Sequence, residues 1–159
     1  MGSLELLPEV HRSLGIELNN KTWELLEKTD RTPAQDAQLL EFAHSSAYHW
    51  SFCGTVVNQQ RGYWLISRTY AVLEFPVACL LFAQLCRELT QTGGSEMKDF
   101  DIAYSFEALA RAYVLTGELG KAVEMFRSAD EAGKMIKEEE GRKIFTGDLH
   151  SGVLIQFGK

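Results

Sequence analysis

Apolar residues recur at intervals of three and four along most of the chain, and the strict alternation of a half-buried strand is scarce. The pattern predicts helices. Residues 8–28 carry Val10, Leu14, Leu18, Trp23, Leu25 and Leu26 at that spacing, interrupted by Gly15 and by Asn19 and Asn20, and read as one broken helix or two short ones. The clearest start signal is "TDRTPAQD", in which Thr32 caps, Pro33 suits the first helical position and Gln35 closes a capping box. A long helix is expected over 33–55, with Ala43, Ala47, Trp50 and Gly54 on one strip where small residues admit a neighbour. Further helices are expected over 59–73 and 75–90, followed by the loop "QTGGSEMKD". Asp99 or Asp101 caps a helix to Leu115, Gly117 ends it, and 118–136 forms its partner. "KEEEGRKIFTGDLHSG" holds a short helix that stops near Gly147. The apolar tail "VLIQFGK" is expected to dock on the core or on a second subunit.

Residues 105–129, "SFEALARAYVLTGELGKAVEMFRSA", resemble a tetratricopeptide repeat. Phe106, Leu109, Ala110 and Tyr113 match the first helix of that motif, Gly117 its turn, and Ala122, Phe126 and Ala129 its second helix. Alanines suit the places where two helices cross closely, and aromatics fill the gaps between. A degenerate copy lies in "YWLISRTYAVLEFPVACLLFA", where Tyr63, Ile66, Ser67 and Tyr70 match the first helix and Ala78 and Phe82 the second. Its turn reads one residue shorter, with Glu74 where glycine is expected. The chain is thus expected to form a single all-α domain over 1–159, a short solenoid of six or seven antiparallel helices in a right-handed stack. The clearest repeat covers 103–136, the degenerate one 60–91, and 8–55 form a cap or a diverged unit. About three such units are needed to bury a continuous core. The stretches "AHSSAYHW", "RGYWLISRTYAVL", "DFDIAYSFEALARA" and "GRKIFTGDL" also resemble a group of small bacterial proteins with no assigned activity, over most of residues 20–150. That resemblance implies a helical fold and a bacterial origin, and no mechanism.

Composition narrows the function classes. The chain has 159 residues, 45% apolar and 24% charged, with a formal net charge of −6. Neither nucleic acid nor an anionic membrane surface is an expected partner of so acidic a chain. The longest apolar run, "FPVACLLFAQLC", is too short to span a bilayer. Three cysteines form no visible framework, and Cys79 and Cys86 lie about 10 Å apart along one helix, too far for a disulfide. Free thiols in a reducing cytoplasm are expected.

The repeat resemblance implies which side chains face an inner, concave wall. On the upstream helix they are Arg61, Trp64 and Arg68; on the downstream helix, Tyr104, Glu107 and Arg111. Each set recurs at i, i+3, i+7 and so shares one face. Two arginines would fork onto a carboxylate or phosphate while the aromatics shape the pocket. The competing expectation is that Arg111 pairs with Glu107 at i+4, worth about 0.3–0.5 kcal/mol, and that the other arginines pair with neighbouring acids. His44, Tyr48 and Ser51 are expected at the groove's edge. His44 and His49 stand about 140° apart on a helix and cannot chelate one ion from it. His49 and Cys53 are better spaced, but two ligands do not close a site. The leading expectation is a non-enzymatic binding module for a protein, a peptide or a small anionic ligand, without cofactor or metal. The alternatives are a small hydrolase or isomerase using His44 or His49 with Glu107 or Asp101, and a structural homodimer joined through the aromatic wall and the tail.

Overall fold

The computed structural model describes residues 5–158. Among these residues the protein is all-helical, with seven α-helices, two 3-10 segments and no strand. The helices are α1 (Pro8–Leu26), α2 (Pro33–Cys53), α3 (Val56–Val72), α4 (Pro76–Thr92), α5 (Asp99–Leu115), α6 (Leu119–Lys134) and α7 (Glu139–Leu149). The 3-10 segments are Gly94–Glu96 and Gly152–Phe157. Each helix packs on the next, α3 also packs on α5, and α5 also meets α7 and the terminal 3-10 segment.

The start signals act as their chemistry demands. Thr32 Oγ1 accepts from the Gln35 amide (3.3 Å) while Gln35 Oε1 accepts from the Thr32 amide (3.0 Å), a complete capping box on α2. Helix α5 departs from expectation, because Lys98 is its N-cap and neither Asp99 nor Asp101 takes that place; Asp101, in the first turn, accepts from the Lys98 amide through Oδ2 (3.0 Å). Asp99 reaches the other way, with Oδ2 accepting from the Lys137 amide (2.9 Å) to tie the α6–α7 connection to α5.

Several boundaries differ from expectation, each for a local reason. Residues 8–26 form one unbroken helix. Gly15 is there for contact and not as a breaker: a Cβ at that position would sit 3.0 Å from the Trp50 indole, and Ser46 Oγ donates to the Gly15 carbonyl at 2.7 Å. Helix α3 begins at Val56, three residues earlier than expected, because Asn58 Oδ1 accepts from the Thr55 amide (3.0 Å). Helix α6 stops at Lys134, next to Gly133, whose backbone lies so close to Phe145 that a Cβ would approach the ring to 2.4 Å. Helix α7 starts on Glu138, whose carboxylate accepts from the amides of Glu140 (3.0 Å) and Gly141 (2.6 Å), and it runs past Gly147 to Leu149.

The α3–α4 and α5–α6 turns are built alike. The Phe75 amide donates to the Tyr70 carbonyl and the Glu118 amide to the Tyr113 carbonyl, both at 2.9 Å. Glu74 (φ 59°) and Gly117 (φ 79°) occupy the same left-handed position between them. The two turns are therefore equal in length, which corrects the expected one-residue shortening of the upstream copy. A constant offset of 43 residues relates the two hairpins, pairing Tyr63 with Phe106, Ile66 with Leu109, Ser67 with Ala110 and Tyr70 with Tyr113. The same offset places Cys79, Ala83 and Cys86, all fully buried, opposite Ala122, Phe126 and Ala129. Ala78 and Phe82, expected in those roles, are only partly buried.

Two apolar clusters result. Ala71, Cys79, Ala83, Ala108, Leu109 and Ala112 fill the space among α3, α4 and α5. Ala103, Ala110, Phe126, Ala129, Ile136, Phe145, Leu149 and Leu154 fill the space where α5, α6, α7 and the terminal segment meet. The apolar tail thus docks on its own core, with Leu154 fully buried and Val153 and Phe157 packed beside it. Lys159 lies outside the described residues. No helix among the described residues is long and apolar enough to cross a membrane.

Candidate functional site

Helices α3 and α5 turn their shared faces toward each other, and the six expected wall residues do converge. What they converge on is a set of carboxylates. Arg61 grips Asp101 with two hydrogen bonds, Nε to Oδ1 at 2.8 Å and Nη2 to Oδ2 at 3.0 Å, and its guanidinium lies 4.8 Å from the centre of the Phe100 ring. Glu107, 1% exposed, sits between three donors. Trp64 Nε1 donates to Oε2 (3.0 Å), and Arg68 Nη1 (3.4 Å) and Arg111 Nε donate to Oε1.

Arg111 is 4% exposed and also holds the chain's end. Its Nη2 donates to the Asp148 carbonyl (2.5 Å) and its Nη1 to the Ser151 carbonyl (3.1 Å). Tyr104 donates its hydroxyl to Asp148 Oδ2 at 2.6 Å, and burial together with that carboxylate pushes its phenol well above the ordinary range. Burial lowers the Arg68 guanidinium, and the nearby Arg111 charge adds to the effect. The wall therefore holds three cations (Arg61, Arg68, Arg111) and three anions (Asp101, Glu107, Asp148), and is balanced. Arg68 and Arg111 stand at equivalent positions of the two hairpins, yet they meet one carboxylate and not an anion from outside.

Beside this network lies a cavity of about 210 Å3 between α1, α3 and α5. Trp23, Trp64, Phe100 and Tyr104 supply its aromatic walls, Leu65 an apolar one, and Asn19, Gln60, Arg61 and Asp101 its polar groups. The Trp64 ring lies 4.9 Å from Tyr104 and 5.9 Å from Trp23, centre to centre. Trp23 is 37% exposed and the Arg61 side chain 45%, so the cavity opens on their side.

Gln60, by contrast, is 1% exposed. Its Nε2 donates to Thr90 Oγ1 (2.9 Å) and to the Asp101 carbonyl (3.2 Å). Thr90 Oγ1 gives its own proton to the Cys86 carbonyl (2.8 Å), so it must accept from the amide nitrogen, and the amide's orientation follows. Gln60 Oε1 is left buried with no hydrogen-bond partner among the described residues. An orphaned acceptor of this kind costs about 1–3 kcal/mol.

The expected edge residues lie elsewhere. His44 Nε2 meets the Tyr70 hydroxyl at 2.9 Å, with Phe82 edge-on, and burial lowers its imidazole below the ordinary range. Tyr48 is 62% exposed and stands edge-on to Phe52. Ser51 Oγ turns back to its own helix, donating to the Tyr48 carbonyl (2.6 Å). His49 Nδ1 lies 2.9 Å from His11 Nδ1, and burial, with a smaller contribution from His11, lowers it too. The hydrogen bonds of His44 and His49 thus run to Tyr70 and His11, not to Glu107 or Asp101.

Sequence reasoning passed over Trp23, Gln60 and His11. Gln60 carried a usable signal, since the offset of 43 places it opposite Ala103, a small buried core residue, so a polar amide occupies an inward position. Trp23 belonged to a segment read as a cap or a diverged unit. His11 meets His49 across 38 residues, and only the packing of α1 on α2 brings them together.

Searches of protein-family models, of curated proteins and of solved structures find no match to this chain.

Proposed function

We propose that the chain is a non-enzymatic binding module, built as a short, right-handed, tetratricopeptide-like stack of antiparallel helices and working in a bacterial cytoplasm. The constant offset between the α3–α4 and α5–α6 hairpins and their matching turns support the stack. On this reading α1 and α2 form the diverged first unit, and α7 with the terminal segment closes the other end.

The binding site is the cavity between α1, α3 and α5, and the observation that carries it is an opening of about 210 Å3 walled by Trp23, Trp64, Phe100 and Tyr104, with Gln60 among its lining residues. Its ligand is uncharged, because the surrounding cations and anions already cancel. It has a flat apolar body of about one ring, held by Trp23 and Trp64. Arg61 keeps a guanidinium edge at the mouth for an acceptor on the same ligand. A free small molecule and a side chain of a bound peptide share this chemistry.

Native purification followed by mass spectrometry tests the reading. The comparison is wild type against Asn19→Trp, which fills the mouth from α1, after both are shown to melt alike. A molecule or peptide retained by wild type and lost by the variant supports the site and identifies the occupant. Equal retention, or none from either protein, overturns it.

A further inference from the structure

We propose that His11 and His49 form a two-imidazole site for a divalent transition-metal ion of the Zn2+ or Ni2+ kind. The site is independent of the cavity beside Gln60.

The two Nδ1 atoms lie 2.9 Å apart. Two nitrogens bound to one metal at about 2.0–2.1 Å, with an angle between 90° and tetrahedral, stand about 2.8–3.4 Å apart. The separation fits one edge of a coordination polyhedron, while the ring centres, 5.1 Å apart, show the two nitrogens facing each other nearly head-on. Both rings pack against aromatic neighbours. His11, 7% exposed, is stacked on Phe52 at 4.2 Å and 14°, and His49 meets Tyr48 edge-on at 5.7 Å. They come from α1 and α2, which Ser46 and Gly15 lock together at close range. Chelation requires both rings to turn until their Nδ1 lone pairs converge on one point beside the line that joins them.

In the metal-free protein one Nδ1 donates a proton to the other. Metal binding needs both lone pairs, so the donating ring moves its proton from Nδ1 to Nε2, and both rings stay neutral. Cys53 does not compete, because its thiol donates to the His49 carbonyl of its own helix (3.6 Å). Among the described residues no third histidine, cysteine or carboxylate joins the pair. The remaining coordination positions fall to water or to an incoming donor, and they face a cleft of about 390 Å3 lined by Glu5, Tyr48 and Phe52. Imidazole selects borderline metals over Mg2+ and Ca2+, which prefer oxygen.

The test is calorimetric titration of the chelator-treated full chain at pH 7.5 with Zn2+, Ni2+ and Mg2+. Cu2+ is avoided because free thiols reduce it. One Zn2+ or Ni2+ per chain is expected and no Mg2+, with affinity falling by about tenfold or more in His49→Gln and unchanged in Cys53→Ser. His49→Gln must melt like metal-free wild type. Because His11 is buried, its part is read without substitution, from nitrogen-15 spectra in which the Nδ1 signals of His11 and His49 both move on adding Zn2+. Absence of Zn2+ and Ni2+ binding, binding that survives His49→Gln, or metal-induced shifts confined to other residues would each overturn the assignment.

Discussion

Replacing Glu107 by glutamine keeps the side chain's shape and removes its charge. The carboxylate has donors on both oxygens, Trp64 on one and two guanidiniums on the other. A glutamine amide has one acceptor end, so whichever way it turns, its NH2 faces a donor. Turned toward Trp64, it loses that bond and leaves Arg68 and Arg111 on a neutral oxygen. Turned the other way, it sets NH2 against two cations. Arg111 is 4% exposed, and the Arg68 side chain 20%, so water does little to replace the lost charge. Removing one partner of a buried pair costs about 3–5 kcal/mol, against about 0.3–0.5 for the same i, i+4 pair on an exposed helix. For a chain of 159 residues that corresponds to a drop in Tm of roughly 6–20 °C. Urea unfolding of wild type, Glu107→Gln and Trp64→Phe separates the effects. Trp64→Phe removes one hydrogen bond and leaves the charges paired, so it should lose much less. Glu107→Gln within about 1 kcal/mol of wild type would refute a buried charged node and restore the exposed-pair value.

Three further outcomes are expected. In the native protein at pH 8 a thiol reagent should label Cys53 quickly, and Cys79 and Cys86 only as fast as the chain unfolds, because burial pushes those thiols up to about 11 and about 12; rapid labelling of all three would contradict this. Gly120→Ala should gain about 0.5–1 kcal/mol, since a Cβ there meets open space within a helix, whereas Gly117→Ala should lose about 1–2 kcal/mol to its left-handed φ; thermal melts that reverse the order would contradict the turn geometry. His44, lowered in the fold by burial, favours the folded state above its unfolded value of about 6.5 and should withdraw that stability as pH falls through 6.5 toward the folded value, so wild type should lose more stability than His44→Phe between pH 7.5 and 5.5; a folded-state NMR titration of His44 at or above 6.5 would refute it.

The helices were legible because their signals are local. Thr32 with Gln35, and Gly117 after Leu115, each act within a few residues. Helical periodicity also puts Arg61, Trp64 and Arg68 on one face and Tyr104, Glu107 and Arg111 on another, while the inward direction of both came from the repeat resemblance. The pairing of Arg111 with Glu107 at i+4 was legible as well, and pairing of Arg61 and Arg68 with neighbouring acids was one expectation; which acids they would meet was not. The resemblance implies that Arg61 and Arg68 face inward, but Asp101 lies 40 residues and Glu107 39 residues away, and only the packing of α3 on α5 brings them together. The same limit hid His11 from His49. Glu74 misled in a different way. A non-glycine residue in a left-handed turn breaks the expected pattern, and the upstream register was consequently read one residue out, with Ala78 and Phe82 in place of Cys79 and Ala83.

The double role of Arg111 bears on how the chain comes apart. Stacked helical units unfold from their ends when each touches only its neighbours. Here one guanidinium in α5 is joined through Glu107 to α3 and through the carbonyls of Asp148 and Ser151 to the last turns of the chain. Peeling away α7 exposes a cation whose counterion belongs to the middle of the molecule, so the loss is felt as far back as Arg68. Residues 56–157 should therefore melt in a single cooperative step, with amide protons in α3 and α7 exchanging at similar rates, so that a local loosening of α7 is reported in the middle of the molecule.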